Sequence, residues 1–255
     1  MEVHLPSITL SPFIKHYLVL ESHDGMVNRT LPDTSLVMSF RYKGQVRFLD
    51  QGVAKELTSF TLSGLRKTNR LINYSSHTAN ILVIFREAAA HAFIKEPLQE
   101  LFEDSVPLDN FTGYRQLDHI GEQLSVARNN IQRIAHIEAF LSARLYNRHP
   151  DALITAALQK IHAAKGLIKI KELVGSLYIS QDAFEKRFRR IVGVAPKQFA
   201  YIIKMKEVVN SALQKRSFAE IAFDAGYYDQ PHFNKDFKLF TGQTPTEFMK
   251  APSVM

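Results

Sequence analysis

QDAFEKRFRRIVGVAPKQF (181–199) and QPHFNKDFKLFTGQTPTEF (230–248) are two copies of one frame. Phe184, Phe188, Gly193, Pro196 and Phe199 of the first return 49 residues later as Phe233, Phe237, Gly242, Pro245 and Phe248, with the same internal spacings. Gln181 and Gln230 open the copies, and Lys186 matches Lys235. Self-similarity at a fixed offset means that one small structural unit is used twice. The unit reads as a helix, a glycine stop, a proline and the start of the next helix. Two equivalent elements suit a repeating target, and duplex DNA is such a target.

Outward from these copies, everything after residue 150 reads as helix. The pattern predicts helices over 152–164, 171–177, 181–191, 197–213, 218–225 and from 230 or 231 to 240, with a short last one from 246. Asp151 and Ser180 are expected N-caps, Gly166, Gly193, Gly226 and Gly242 stops, and Pro231 a first-turn proline. Tyr178-Ile179-Ser180 and Gly226-Tyr227-Tyr228-Asp229 are tight turns between short helices. That is helix-turn-helix geometry, whose second helix fits the major groove.

Phe184, Phe188 and Ile191 should be buried in the first copy, and Phe233, Phe237 and Phe240 in the second. The opposite faces then carry Asp182, Glu185, Lys186 and Arg189, and Pro231, Asn234, Lys235 and Lys238. The first turns of such faces would read bases, and later basic residues would meet phosphate. Asp182 and Glu185 count against DNA in part, although a carboxylate can accept from cytosine N4. A plain solvated face is the other reading of these positions.

The stretch SFAEIAFDAGYYDQPHFNKDFKLFTGQTPTEF (217–248) resembles the signature of the AraC/XylS family of bacterial transcription regulators. The similarity rests on Ile221-Ala222, Gly226-Tyr227, Asp229-Gln230, His232-Phe233, Phe237-Lys238, Gly242, Pro245 and Phe248, and extends over about 151–250. The first copy departs from the pattern at Val174, where the family prefers alanine, and at Tyr178, where glycine is common. The resemblance implies two recognition helices bridged by the long helix and entering successive major-groove segments. Carried over residue by residue, it gives Asp182, Glu185 and Lys186 as base readers in the first lobe. In the second it gives Gln230, Pro231, Asn234 and Lys235. Pro231, without a side-chain donor, would read only shape or a thymine methyl.

The first half reads as β. SLVMSF (35–40), QVRFLD (45–50), SFTLSGL (59–65) and NILVIFR (80–86) are short runs of β-branched and aromatic residues, punctuated by Gly44, Gly52, Gly64 and Asn73. Such runs suggest an antiparallel barrel or sandwich. A short helix over 88–95 and a helical turn with a loop over 98–110 are expected next. A long helix over 121–146 would follow, with Leu124, Ala127, Ile131, Ile134, Ile137, Leu141 and Leu145 as its apolar stripe. The stripe would pack on the barrel or pair with a second copy of the chain. Asn147-Arg148-His149-Pro150 breaks it and divides the chain into 1–150 and 151–255. SPFIKHYLVLES (11–22), Leu31-Pro32-Asp33, IFREAAAHAF and VPLDNFTG are similar to a cupin-like effector-sensing or dimerisation module found in part of the family. No ligand residue is carried over from it. The expected fold class is therefore α+β multidomain: an N-terminal cupin-like antiparallel β-barrel with helices, then an all-α double helix-turn-helix domain.

Charge is divided unevenly. Residues 1–150 hold 16 Lys+Arg and 15 Asp+Glu (16 − 15 = +1), and residues 151–255 hold 16 and 10 (16 − 10 = +6). The excess lies on the half with the repeat, as a polyanion partner requires, although a solvated basic surface would look the same. The chain has no cysteine, which excludes disulfides, thiolate metal sites and the cysteine-dependent alkyl-acceptor domain to which this DNA-binding half is elsewhere fused. Its ten histidines are scattered without a His-x-His pair, so neither a metal nor another cofactor is expected, and no enzyme activity. Without a long apolar run or a signal peptide, a cytoplasmic location with no membrane partner is expected.

The expected function is sequence-specific DNA binding that regulates transcription, in response to a small-molecule effector. RNA polymerase and a second copy of the chain are admitted as further partners. The rival is a small-molecule-binding barrel whose helical half makes protein contacts.

Overall fold

The computed structural model describes residues 1–50, 53–147 and 149–250. Gly52, Arg148 of the expected helix breaker, and 251–255 lie outside the described residues. The N-terminal half is built from β1 (Glu2–His4), β2 (Ile14–Ser22), β3 (Met26–Thr30), β4 (Val37–Lys43), β5 (Val46–Asp50), β6 (Val53–Glu56), β7 (Phe60–Ser63), β8 (Arg70–Tyr74), β9 (Thr78–Phe85) and β10 (Ser105–Pro107). All pairings among them are antiparallel.

These strands form two sheets, ordered β1-β2-β9-β4-β7-β10 and β3-β8-β5-β6. The expected antiparallel β-domain is present as two sheets lying face to face; among the described residues no strand ladder joins the edges of one to the other, so the barrel is not closed. The β2–β9 pair explains the arrangement. Tyr17 faces Val83 and Val19 faces Ile81 on one side, and Leu18 faces Leu82 on the other. Tyr17, Val19, Ile81 and Val83 join the main core, while Leu18 and Leu82 pack on Leu20, Val46 and Tyr74 between the sheets. A strand pair buried on both faces reads as a continuous apolar run rather than an alternating one.

Two helical expectations are also corrected. The single helix over 121–146 is two, α1 (Asp118–Val126) and α2 (Asn130–Ser142). Asn129 adopts an extended conformation, and its side chain accepts from the Gln132 N–H at 2.9 Å, which starts a new helix where periodicity alone ran straight through. Leu124, Ile134, Ile137 and Leu141 of the stripe enter the chain's own core, while Ile131 is exposed. The expected helix over 88–95 shrinks to a 3-10 turn, Ala90–Ala92. Residues 98–110 hold two 3-10 turns, Leu98–Leu101 and Leu108–Asn110, on either side of β10.

The C-terminal half comprises α3 (Ala152–Ala163), α4 (Ile170–Gly175), α5 (Gln181–Val192), α6 (Pro196–Leu213), α7 (Phe218–Asp224), α8 (Gln230–Thr241) and α9 (Pro245–Lys250). Each expected helix is present within a residue or two of its bounds. The long α6 lies between the two units and buries Phe199, Ile202, Ile203, Met205, Val208 and Val209. The core is contiguous from the larger sheet into these helices.

Polar contacts link the halves as well. Lys206 of α6 pairs with Asp33, and Glu87 lies 2.7 Å from His162 of α3. Burial opposes ionisation of Asp33, but Lys206 more than offsets it and holds the carboxyl below its ordinary range.

Candidate nucleic-acid interface

Each unit is a short helix, a turn and a longer helix. In the first, Leu173 and Val174 anchor α4, and Phe184, Phe188 and Val192 anchor α5. Ile191, expected in this set, is only half-buried, and Val192 takes its place. In the second, Ile221 and Ala222 anchor α7, and Phe233, Phe237 and Phe240 anchor α8. The aromatic rings interlock in the same way: Phe184 and Phe188 are 5.5 Å apart, Phe233 and Phe237 5.8 Å. The repeated phenylalanines thus hold fold, leaving the opposite faces free.

The caps repeat too. The Ser180 hydroxyl accepts from the Ala183 N–H, and Asp229 accepts from the His232 N–H at 2.8 Å. Gly193 (φ +94°) and Gly242 (φ +76°) end the two helices in the left-handed conformation that glycine adopts without strain. Both stops dock on the N-terminal half. A Cβ on Gly193 would lie 3.2 Å from the Leu98 carbonyl oxygen, and one on Gly242 1.8 Å from Arg29 Nη1. Asn69 donates from its backbone N–H and from Nδ2 to the Leu239 carbonyl at the end of α8. The far ends of α5 and α8 are therefore positioned by the N-terminal half.

The turns differ in one respect. Gly226 takes φ +73° in the second unit, and Tyr178 takes φ +53° in the first. The departure from glycine at Tyr178 is thus paid in backbone strain, about 1–2 kcal/mol for a residue with a Cβ. Its side chain is fully exposed and makes no compensating burial. Tyr178→Gly should stabilise the chain by about 0.5–1 kcal/mol once glycine's greater unfolded-state entropy is subtracted. A urea titration with an unchanged slope and a higher midpoint is the expected result.

The structure leaves Asp182, Lys186 and Arg189 exposed on α5, and Gln230, Pro231, Lys235 and Lys238 exposed on α8. Glu185 and Asn234 are half-buried. Glu185 accepts from Gln181 Nε2 at 2.9 Å and pairs with Arg189 at 2.7 Å, so its charge is largely answered within the helix. Lys186 and Lys235 occupy the same position of the repeated frame on open faces.

Two anchoring positions were missed by sequence reasoning. Arg187 of α5 and Asp236 of α8 stand 49 residues apart, each immediately before the second phenylalanine. Arg187 pairs with Asp151, the cap of α3, at 2.7 Å. Asp236 accepts from the Tyr227 hydroxyl at 2.8 Å. A charged residue at one repeated position was the available signal; the opposite signs concealed it.

Among the described residues no three His, Cys, Asp or Glu side chains converge as metal ligands. No helix there is long and apolar enough to cross a membrane.

Residues 173–251 match the family described as a helix-turn-helix domain, and residues 2–107 match a domain family of unknown function, DUF6597. Residues 173–251 are thus a helix-turn-helix domain of the AraC type. Among curated relatives, the Msm operon regulatory protein of Streptococcus mutans is 26% identical over 155 residues. That match takes in 59% of this chain and 55% of the relative, so the chain spans about half the length of the curated relative it matches. Among solved structures, ToxT from Vibrio cholerae is 15% identical, with 92% of this chain and 96% of ToxT covered and a TM-score of 0.44. The C-terminal domain of AraT, a response regulator from Geobacillus stearothermophilus, is 19% identical, with 39% and 85% covered and a TM-score of 0.37.

Proposed function

We propose that this protein is a sequence-specific DNA-binding regulator of transcription, reading two successive major-groove segments with α5 and α8. The observation that carries this reading is the repeated unit itself. Two helices each capped by a side-chain oxygen, with the same aromatic anchors and an exposed lysine at the same position, are equivalent elements aimed outward. A duplex presents equivalent grooves at each helical turn, which is what paired readers require.

In this reading Asp182, Gln230, Pro231, Asn234 and the two lysines face bases. Arg189 and Lys238, farther along their helices, meet phosphate, and Glu185 orients Arg189. Residues 1–150 act as a module for a small-molecule effector or for self-association, joined near 147–150 to the DNA-binding module of 151–255. The protein works in the cytoplasm and carries out no chemistry of its own. Phe223 is 81% exposed and Tyr228 fully exposed on the second unit. That aromatic surface beside the proposed DNA face supports a protein contact there, with RNA polymerase as the partner.

The test is selection of genomic fragments by the purified protein at about 0.15 M salt, where nonspecific phosphate binding is partly suppressed. Two short sequence blocks about one helical turn apart are expected. On the selected site, Lys186→Ala and Lys235→Ala should each cost about 1–3 kcal/mol if the lysine reads a base, relaxing one position of its own block. If it meets phosphate, the salt slope should fall by about one. Unchanged affinity and salt slope in the double variant would overturn the assigned faces.

A further inference from the structure

A second feature lies where the two halves meet, away from the exposed lysines. A cleft of about 380 Å³ opens between the end of the N-terminal half, the connecting segment and α5. Its lining includes Lys95 from the N-terminal half, Arg187 and Arg190 from α5, and Tyr146, His149 and Asp151 from the stretch that joins them.

The charges in this cleft do not cancel locally. Of its two carboxylates, Asp151 is used twice, by the Ile154 N–H at 3.1 Å and by Arg187 at 2.7 Å. Glu96 accepts from the Thr112 N–H at 2.9 Å and from the Thr112 hydroxyl at 2.7 Å. His91 lies at the rim. Its Nδ1–H donates to the Ala88 carbonyl, its Nε2 accepts from Asn147 Nδ2 at 3.2 Å, and burial lowers its pKa. Lys95 and Arg190 are both exposed, and neither has a carboxylate within ion-pair distance among the described residues. One comes from each half of the molecule, and both lie near Tyr146: the Lys95 ammonium is 5.9 Å from its ring centroid, and the Arg190 guanidinium favours the ionised form of its phenol.

We propose that this cleft binds a small oxyanion carrying two negative charges, held between Lys95 and Arg190. Phosphate esters and dicarboxylates share the required chemistry: paired acceptor oxygens for the guanidinium fork and a second charge for the ammonium. The bound anion ties the N-terminal half to α5 directly. If α5 reads DNA as proposed above, anion binding and DNA binding are then coupled, and the coupling is reciprocal. Only this last step rests on the DNA-binding reading; the anion site stands without it.

The experiment is calorimetric titration of the full chain with inorganic phosphate, pyrophosphate and succinate at constant ionic strength. Lys95→Ala, Arg190→Ala and, as a control on a different cleft, Lys15→Ala are titrated in parallel. All three replaced side chains are exposed, and circular dichroism verifies the fold. The expected result is saturable one-to-one binding of at least one probe, weakened about ten-fold or more by Lys95→Ala and by Arg190→Ala and unchanged by Lys15→Ala. Phosphate or pyrophosphate binding without succinate binding would identify the ligand as a phosphate ester; the reverse would identify a dicarboxylate. Two results overturn the proposal. One is saturable binding by none of the probes, or equal binding in all variants. The other is that Lys95→Ala and Arg190→Ala leave the small anions indifferent but reduce the salt dependence of DNA binding, which makes the cleft a backbone contact. A site-specific anion that leaves DNA affinity unchanged would sink the coupling and keep the site.

Discussion

Gly166→Ala should destabilise the protein by about 2–5 kcal/mol. Two independent costs act at this position. Gly166 takes φ +77°, where a Cβ costs about 1–2 kcal/mol. That Cβ would also lie 2.2 Å from the Ala200 carbonyl oxygen and 2.7 Å from the Lys204 backbone nitrogen, both on α6. Those atoms belong to helix backbone and cannot swing aside, so α3 and α6 must separate, at about 1–3 kcal/mol for an overpacked contact. Gly175 supplies the control. A Cβ there meets nothing within 4 Å, and the residue ends α4 with no left-handed backbone. Gly175→Ala should be neutral or stabilise by up to about 1 kcal/mol. Urea unfolding of the two variants separates the readings: a loss of only about 1–2 kcal/mol in Gly166→Ala would leave the backbone cost alone and show that the close approach of α3 to α6 is not rigid.

The same contact shows why the helical half was legible and the sheets less so. Most helices there announced an end, although Asp229 was not read as a cap. Asp151, Ser180 and Asp229 accept from the backbone N–H groups they cap, and Gly166, Gly193, Gly226 and Gly242 all take positive φ. These signals are local, and local signals survive in sequence. Sheet pairing is not local. β3 (MVNRT) and β8 (RLINY) carry few strand markers, yet they pair over five positions from Met26–Tyr74 to Thr30–Arg70. What makes them strands is the partner, supplied forty or more residues away. The break at Asn129 failed for a related reason. The apolar spacing on either side fits one helix, and only the side-chain bond to Gln132 shows where a second begins.

The candidate interface divides along the same line. The repeated frame placed Lys186 and Lys235 on open faces because burial of the phenylalanines fixes what lies opposite. It did not foresee Glu185 turned toward Gln181 and Arg189, since that depends on side-chain partners rather than on helical phase. The docking of Gly193 and Gly242 on the N-terminal half was equally hidden. A glycine stop looks the same whether it meets water or Arg29.

Asp236→Ala should cost about 2–3 kcal/mol of stability and weaken the second unit's hold on DNA selectively. Its carboxylate is the centre of the polar cluster that seats α8 on α6. The Tyr227 hydroxyl donates to it at 2.8 Å, and His232 lies 3.8 Å away. The Lys204 ammonium stands 3.9 Å over the Tyr227 ring. Burial lowers the Lys204 pKa, and Asp236 opposes that shift. Burial raises the Tyr201 and Tyr227 phenols, and the same carboxylate raises them further. Without it, Tyr227 keeps only the weak Met205 sulfur contact at 3.3 Å, and Lys204 loses its countercharge. The loss of a hydrogen bond to a charged acceptor sets the magnitude. The variant should also regain part of its stability as pH rises. A lysine whose folded pKa lies below its unfolded value binds fewer protons when folded, so stability increases through the folded pKa. Asp236→Asn keeps an acceptor for Tyr227 but not the charge, and should fall between wild type and alanine. The DNA readout distinguishes positioning from general loosening. Base substitutions in the block met by α8 should lose their discrimination in Asp236→Ala, while those in the block met by α5, anchored separately through Arg187 and Asp151, should keep theirs. Equal loss in both blocks would mean that Asp236 holds up the whole helical half rather than orienting one reader.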